Sequence, residues 1–489
     1  MNFRGRGPPR RRASRLLGGS GPSDAPAVSN RIAGQATAHV RVLGLLRKHG
    51  WNATSFQVLE PGFSYWFAED GCVAYVDTGR AWVAAGAPIA REDQIESVAG
   101  AFVAAARAAG RGVCFFATEQ RFAVLEGLRH LLIGEQPVWE PRRWSETLRA
   151  APSLREQLRR ARAKGVSVSE ISARELSDPE TPLRRAIESL IVNWQRSKAM
   201  PPMGFLVHVE PFAFADERQL FVARLGAGSD ARVVGFAAAI PVYARRGWFL
   251  EDLIRAPGAP NGTTELLVDA VMGAAARLGS DYLTLGLSPL AGDVGPALGL
   301  ARRYAAPLYD FAGLRGFKAK FRPLHWAPIY LSHPEDASAL GAVVESLRAF
   351  SRRGLLRYGL DTVLRGPTIV VSGLAWMLVP WTALLAALDE RWFPGVWVHW
   401  AWVGFDLVLF AALVVLARHF RSWLSRAVVI AVTLDAGVTL GQAVLFNVPR
   451  LRGLADAIGL GVAVVAPLLA SRILAQAHVR AAAAFGFNR

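Results

Sequence analysis

Hydrophobic and polar positions follow three patterns along the chain. Between 366 and 475 the sequence is almost continuously apolar. Four stretches there, 368–388, 397–417, 427–446 and 454–474, each reach bilayer-spanning length, which predicts four transmembrane helices. Just before them, Leu340, Val343, Val344, Leu347 and Phe350 recur on one helical face, with Arg348, Arg352 and Arg353 around them. This predicts an amphipathic interfacial linker helix over 336–365. From 35 to 335 short apolar runs are broken by turn residues. Strands are expected at 71–76, 81–86 and 112–117, with a helix at 92–110. Strands follow at 232–241, 247–253, 282–286 and 326–331, with a helix at 262–278. Strand, strand, helix, strand thus occurs twice. The expected class is α+β, built as two similar halves, 35–150 and 151–335, followed by an all-α four-helix transmembrane bundle over 366–475.

Charge adds a polarity to this layout. The formal net charge of the 489 residues is +17, which points to an anionic partner, nucleic acid or an anionic membrane surface. Nearly all of the basic residues are Arg, with Lys only at 48, 164, 198, 318 and 320, so a coding bias is an equal account of the excess. Residues 1–34 read as a disordered basic tail and 476–489 as a second tail. Arg352, Arg353, Arg357 and Arg365 precede the first span, Arg418, Arg421 and Arg426 separate the second and third, and Arg472, Arg480 and Arg489 lie at the end. The positive-inside rule then places both termini and the globular part in the cytoplasm, although Arg450 and Arg452 in the last short loop run against it. Asp406 and Asp435 fall inside the second and third spans, where a carboxyl is either functional or a packing device. Cys72 and Cys114, the only cysteines, form neither a metal spacing nor a disulfide framework.

Several short motifs fall in one order. They are 235–243 (GFAAAIPVY), 251–255 (EDLIR), 259–262 (APNG), 285–290 (LGLSPL), 311–323 (FAGLRGFKAKFRP) and 326–331 (WAPIYL). Upstream stand 83–88 (VAAGAP) and the basic segment 153–165. Together they resemble the cytoplasmic catalytic domain of the phosphatidylglycerol lysyltransferases, the multiple peptide resistance factor family, over about 35–335. The resemblance implies two tandem acetyltransferase-like (GNAT-like) subdomains. It implies transfer of an aminoacyl group, Lys or Ala, from aminoacyl-tRNA to the glycerol hydroxyl of phosphatidylglycerol or a related lipid. Such transfer lowers membrane negative charge, the family's route to resistance against cationic peptides. The implied location is the bacterial inner membrane. Larger members carry a flippase bundle before the catalytic domain, whereas here the apolar spans come after it.

The resemblance makes Asp252 and Arg255 the essential acid and arginine, at the mouth of a cleft where a strand ends and a helix begins. Asp252 would bind the donor's α-ammonium or move a proton, and Arg255 would hold a phosphate. The plainer alternative is a buried structural ion pair. Glu251 and Asn261 join them as substrate-binding candidates, and Asn261 or Thr263 would cap the helix. Arg315, Lys318, Lys320 and Arg322 form a cationic segment with Phe317 and Phe321 between them; strand-like alternation would turn the cations toward a lipid head group or tRNA. Arg155, Arg159 and Arg162 share one helical face and are weaker tRNA-binding candidates. The turn 256–262 carries two prolines, which lack N–H donors, and serves coenzyme A poorly. No cofactor and no metal are expected, because the aminoacyl ester arrives activated. The alternatives are a GNAT-like acyltransferase with another acceptor, or an inactive membrane-tethered module that binds tRNA or lipid.

Overall fold

The computed structural model describes residues 25–198, 203–228, 231–305, 309–351, 354–355, 357–358, 367–418 and 421–485. Its strands are β1 (Ser64–Phe67), β2 (Cys72–Asp77), β3 (Ala81–Ala85), β4 (Gly112–Thr118), β5 (Leu128–Trp139), β6 (Val166–Ile171), β7 (Gln219–Leu225), β8 (Arg232–Val242), β9 (Gly247–Arg255), β10 (Tyr282–Thr284), β11 (Ser288–Pro289) and β12 (His325–Pro334). The helices around them are α1 (Ala25–His49), α2 (Ile95–Ala108), α3 (Trp144–Arg149), α4 (Pro152–Ala163), α5 (Pro182–Arg196), α6 (Thr263–Arg277), α7 (Gly295–Ala305), α8 (Phe311–Ala319) and α9 (Ala339–Phe350). The strands form one sheet in the order β1-β2-β3-β4-β12-β5-β10-β9-β8-β7-β6, with β11 beside β5.

One unit recurs in this sheet. β2 runs antiparallel to β3, α2 crosses over, and β4 returns parallel to β3. β8 runs antiparallel to β9, α6 crosses over, and β10 returns parallel to β9. The units are joined by exchanged strands. β5, which follows the first unit, lies against β10 of the second, while β12, which follows the second, lies against β4 of the first. Apolar alternation explains the layering. Leu250, Leu267, Val271, Leu283 and Phe321 pack on the α6 face, whereas Ile187, Ile191, Phe236 and Ile254 pack on the α5 face.

β10 and β9 part early. Their pairing ends at Thr284↔Phe249, and β5 regains a partner only at Ser288↔Glu135. Pro137 of β5 lies opposite this gap. The carbonyl of Val138 accepts from Leu324 on the β12 side, so Pro137 turns its missing N–H toward the gap, where no ladder bond is lost.

Four apolar helices follow: α10 (Pro367–Ala387), α11 (Val396–Arg418), α12 (Ser422–Gln442) and α13 (Leu454–Phe485). Three stretches are long and apolar enough to cross a membrane: Val396–Arg418, Ser422–Arg450 and Leu454–Ala475. In α10 the stretch whose side chains are described, Val371–Ala387, is shorter, so three of the four expected spans are met among the described residues. α13 also runs on to Phe485, through most of the expected tail at 476–489, because no Gly or Pro stops it between Pro467 and Phe485. At the other end α1 begins at Ala25, inside the tail expected over 1–34; residues 1–24 lie outside the described residues, as do most of 352–366 in the expected linker.

α9 uses a different face from the one its large side chains mark out. Ala342, Ser346 and Ala349 are buried on the sheet, with Val343 and Phe350 beside them, while Leu340 and Leu347 remain exposed. Small residues let the helix lie close to β3 and β4, where the Cys114 thiol meets the Ala342 carbonyl and Ser346 Oγ, each at 3.8 Å.

Candidate active site

The site begins with an irregularity in β9. Ala238 pairs with Asp252 and Ala239 with Leu250, which leaves Glu251 as the extra residue of a β-bulge. A bulge breaks the strict alternation of side chains and re-aims them. Glu251 meets Arg218, and Asp252 feels the charges of both Glu251 and Arg218. Arg218 precedes β7, next to a turn in which Phe214 adopts a left-handed φ of 52°. Its Nε donates to the Ala213 carbonyl at 2.9 Å, one terminal nitrogen donates to Glu251, and the other lies 3.5 Å from Glu60 Oε1. The side chains of Glu60 and Arg218 are each 1% exposed and that of Glu251 4%. Asp252 is buried as well.

Three carboxyl groups therefore share one guanidinium away from water. Burial, then the charge of Glu251, raises the Asp252 carboxyl well above its ordinary range, against the pull of Arg218. Burial, then Glu251, pushes Glu60 up to about 10. Burial alone would lower Arg218, but Glu251, Asp252 and Glu60 outweigh it and hold the cation. Both oxygens of Glu60, Oε1 of Glu251 and Oδ2 of Asp252 have no hydrogen-bond partner among the described residues. Buried acceptors without donors are costly, and these four belong to one cluster. Such a cluster can hold a cationic group and exchange a proton with it.

Arg255 lies outside this cluster, at the far end of β9. Its NH1 is 3.4 Å from Asn261 Oδ1, and its charge reaches Lys198, whose ammonium lies over the Trp194 ring at 4.4 Å. Asn261 is exposed and does not cap α6; the cap position is Gly262, with a φ of 98°. A Cβ there would come within 2.8 Å of Ala161 Cβ and 2.9 Å of the Gln157 carbonyl, so glycine lets α4 close onto the start of α6. Arg155, Arg159 and Arg162 on α4 are engaged nearby, with the Leu148 and Arg149 carbonyls, Glu156 and Asp269 respectively.

The cationic segment 311–323 is a helix and turn, so the strand-like alternation expected of it does not hold. Lys318 points inward. Its Nζ donates to the carbonyls of Gly286 at 2.8 Å and Leu287 at 2.9 Å, two groups left without strand partners where β10 breaks off. Burial pushes its amine down to about 7. Arg315 lies over the Trp326 ring at 4.4 Å and 3.3 Å from Glu135 Oε2. Lys320 pairs with Glu265 in the first turn of α6. Arg322 is exposed, with a φ of 50°. Thus Glu251 and Asp252 are brought together, Arg255 and Asn261 sit beyond them, and the cations of 315–322 divide among separate tasks.

Sequence reasoning did not single out Arg218 or the pairing role of Glu60. An arginine just ahead of the apolar run 220–223 is the only local signal for Arg218. The thiols of Cys72 and Cys114 are buried and pushed up to about 12, so neither is a nucleophile at neutral pH.

Comparison with known proteins supplies a family. The profile described as phosphatidylglycerol lysyltransferase, C-terminal, matches residues 44–333. A phosphatidylglycerol lysyltransferase of Bacillus subtilis (strain 168) is 33% identical over 120 residues, which are 22% of this chain and 14% of that protein. The chain thus aligns with much less than two thirds of that relative's length. Two solved structures share the fold. The C-terminal domain of a candidate lysylphosphatidylglycerol synthetase from Agrobacterium fabrum has a TM-score of 0.56 at 22% identity, over 66% of this chain and 100% of that one. L-PGS from Bacillus licheniformis has a TM-score of 0.55 at 21% identity, over 64% of this chain and 97% of that one.

Proposed function

Because the chain belongs to the phosphatidylglycerol lysyltransferase family, we propose that it moves an aminoacyl group, Lys or Ala, from aminoacyl-tRNA to the glycerol hydroxyl of phosphatidylglycerol or a related lipid. The observation that carries this reading is the buried carboxyl cluster of Glu60, Glu251 and Asp252, four of whose oxygens have no hydrogen-bond partner among the described residues. An aminoacyl ester brings an ammonium, whose N–H groups can donate to them. Its arrival favours the ionised form of Asp252, which then accepts a proton.

The reaction is an ester exchange. The lipid hydroxyl oxygen bonds to the aminoacyl carbonyl carbon as its proton passes to the Asp252 carboxylate. The tetrahedral adduct collapses, the bond to the ribose oxygen breaks, and Asp252 returns the proton to that oxygen. One ester replaces another, so positioning carries most of the catalysis. Arg255, with Lys198 beside it, holds a phosphate of the tRNA acceptor end. The apolar helices keep the site at the bilayer, with the catalytic part on the cytoplasmic side of the inner membrane, as the arginine distribution favours. Acyl-coenzyme A is a poor alternative donor. The N-terminal turn of α6, where a pyrophosphate would bind, already carries the buried Glu265 paired with Lys320.

The test uses the full chain in vesicles containing phosphatidylglycerol, supplied with radiolabelled aminoacyl-tRNA. Label should move into the organic phase, and Asp252→Asn should lower kcat by about a hundredfold or more, the scale of general acid–base catalysis. An unchanged rate in Asp252→Asn, or transfer that requires acyl-coenzyme A, would overturn the reading.

A further inference from the structure

Among the described residues, two sets of buried polar atoms without hydrogen-bond partners, of opposite character, lie beside β9 and β10. On the β9 side they are the acceptors of Glu60, Glu251 and Asp252. Across the gap left by β10 they are donors. Ser288 Oγ and Arg315 Nε have no partner among the described residues, and Ser288 is 0% exposed. Lys318 spends two of its three ammonium N–H groups on the Gly286 and Leu287 carbonyls.

These donors converge on one short segment. Arg315 and Lys318 stand three residues apart on α8, and hence on one face. Lys318 engages residues 286 and 287, and Arg315 engages Glu135, the residue paired with Ser288 across β5 and β11. With Lys318 protonated, Arg315, Lys318 and Glu135 sum to one positive charge, the complement of a single phosphodiester. Gly286 packs against the Phe249 ring, where a Cβ would lie 2.6 Å away, and Phe249 precedes Asp252 by three residues of strand, about 10 Å.

We propose that Ser288, Arg315 and Lys318 form the seat of the acceptor lipid's phosphodiester, from which the glycerol extends toward Asp252. This rests on the transfer reading above. A lipid fits better than RNA for two reasons. RNA is held by a series of exposed cations along its backbone, whereas here Ser288 and Lys318 are buried, only Arg315 is part-exposed, and the set carries one net charge. In chain order α8 is followed by β12, α9 and then the apolar helices.

The discriminating variant is Ser288→Ala. If the hydroxyl has only a structural role, its removal deletes an unpaired buried group and leaves binding untouched. If it binds phosphate, affinity for lipid falls while the melting temperature holds or rises. The full chain in neutral detergent is titrated by calorimetry with dihexanoyl phosphatidylglycerol, and separately with uncharged tRNA. Ser288→Ala and Arg315→Gln should each weaken lipid binding about tenfold and leave tRNA binding within twofold. Unchanged lipid affinity in Ser288→Ala, weakening of tRNA binding in place of lipid binding, or no lipid binding by the wild type would each overturn the proposal. Binding is read apart from turnover. A wild type that binds lipid through Ser288 yet transfers nothing would contradict the transfer reading and leave this site standing.

Discussion

Glu60 shows how one residue can report on the whole cluster. Its carboxyl has an ordinary pKa of 4.5 and is held up to about 10 in the fold by burial and by Glu251. Between those values the folded chain binds more protons than the unfolded chain, so this group's contribution to stability falls as pH rises. The melting temperature of the wild type should therefore decline from pH 5 to pH 9 more steeply than that of Glu60→Gln. Equal slopes would mean that Glu60 does not titrate as the cluster requires. At this scale the sequence was partly legible. Asp252 and Glu251 stand out because a carboxylate pair interrupts an otherwise apolar strand. Arg218 does not, because its partners lie 33 residues ahead and far upstream, and only the register of β7, β8 and β9 brings them together. Lys318 was legible as a cation but not as an inward one, since its acceptors exist only because β10 breaks off.

Elements were the most legible level wherever local pattern and tertiary packing agree. β2, β3, β4, β8, β9, α2 and α6 lie within three residues of the positions that periodicity and turn residues mark. β5 was not legible, because Gly134 and Pro137 interrupt its alternation and its place in the sheet depends on strands from the other half. α9 was legible as a helix; its seat on the sheet was not, since Ala342, Ser346 and Ala349 make the close approach in place of its larger side chains. The α4–α6 contact gives a test at the same scale. Gly262→Ala adds a methyl at a positive φ and drives it into Ala161 and the Gln157 carbonyl, which should cost on the order of 2 kcal/mol. Gly273→Ala, inside α6 with only the Arg277 side chain near it at 3.6 Å, should be neutral or stabilise by up to about 1 kcal/mol. Thermal unfolding of both variants checks the pair; similar losses in the two would refute the close α4–α6 seat.

At the scale of the molecule, a mixed sheet of two interlocked units precedes a set of apolar helices, and the family match covers the sheet. Exchange of β5 and β12 makes the halves one body and leaves the gap beside β10 near its middle, with orphan acceptors on one side and orphan donors on the other. A long apolar stretch is unmistakable in sequence, and three of the four expected spans are met among the described residues. Asp406 faces Thr382 of α10 at 3.5 Å, and Asp435 accepts from Thr439 one turn on in its own helix at 3.2 Å. The central claim is that Asp252 and its neighbours transfer an aminoacyl group onto a membrane lipid. The most direct measurement is a mass-spectrometric lipid profile of a bacterium rich in phosphatidylglycerol and free of aminoacylated lipids, expressing either the full chain or its Asp252→Ala variant. The account predicts a new lipid heavier by one aminoacyl residue with the wild type and none with the variant. Identical profiles from the two, with both proteins present in the membrane, would contradict it.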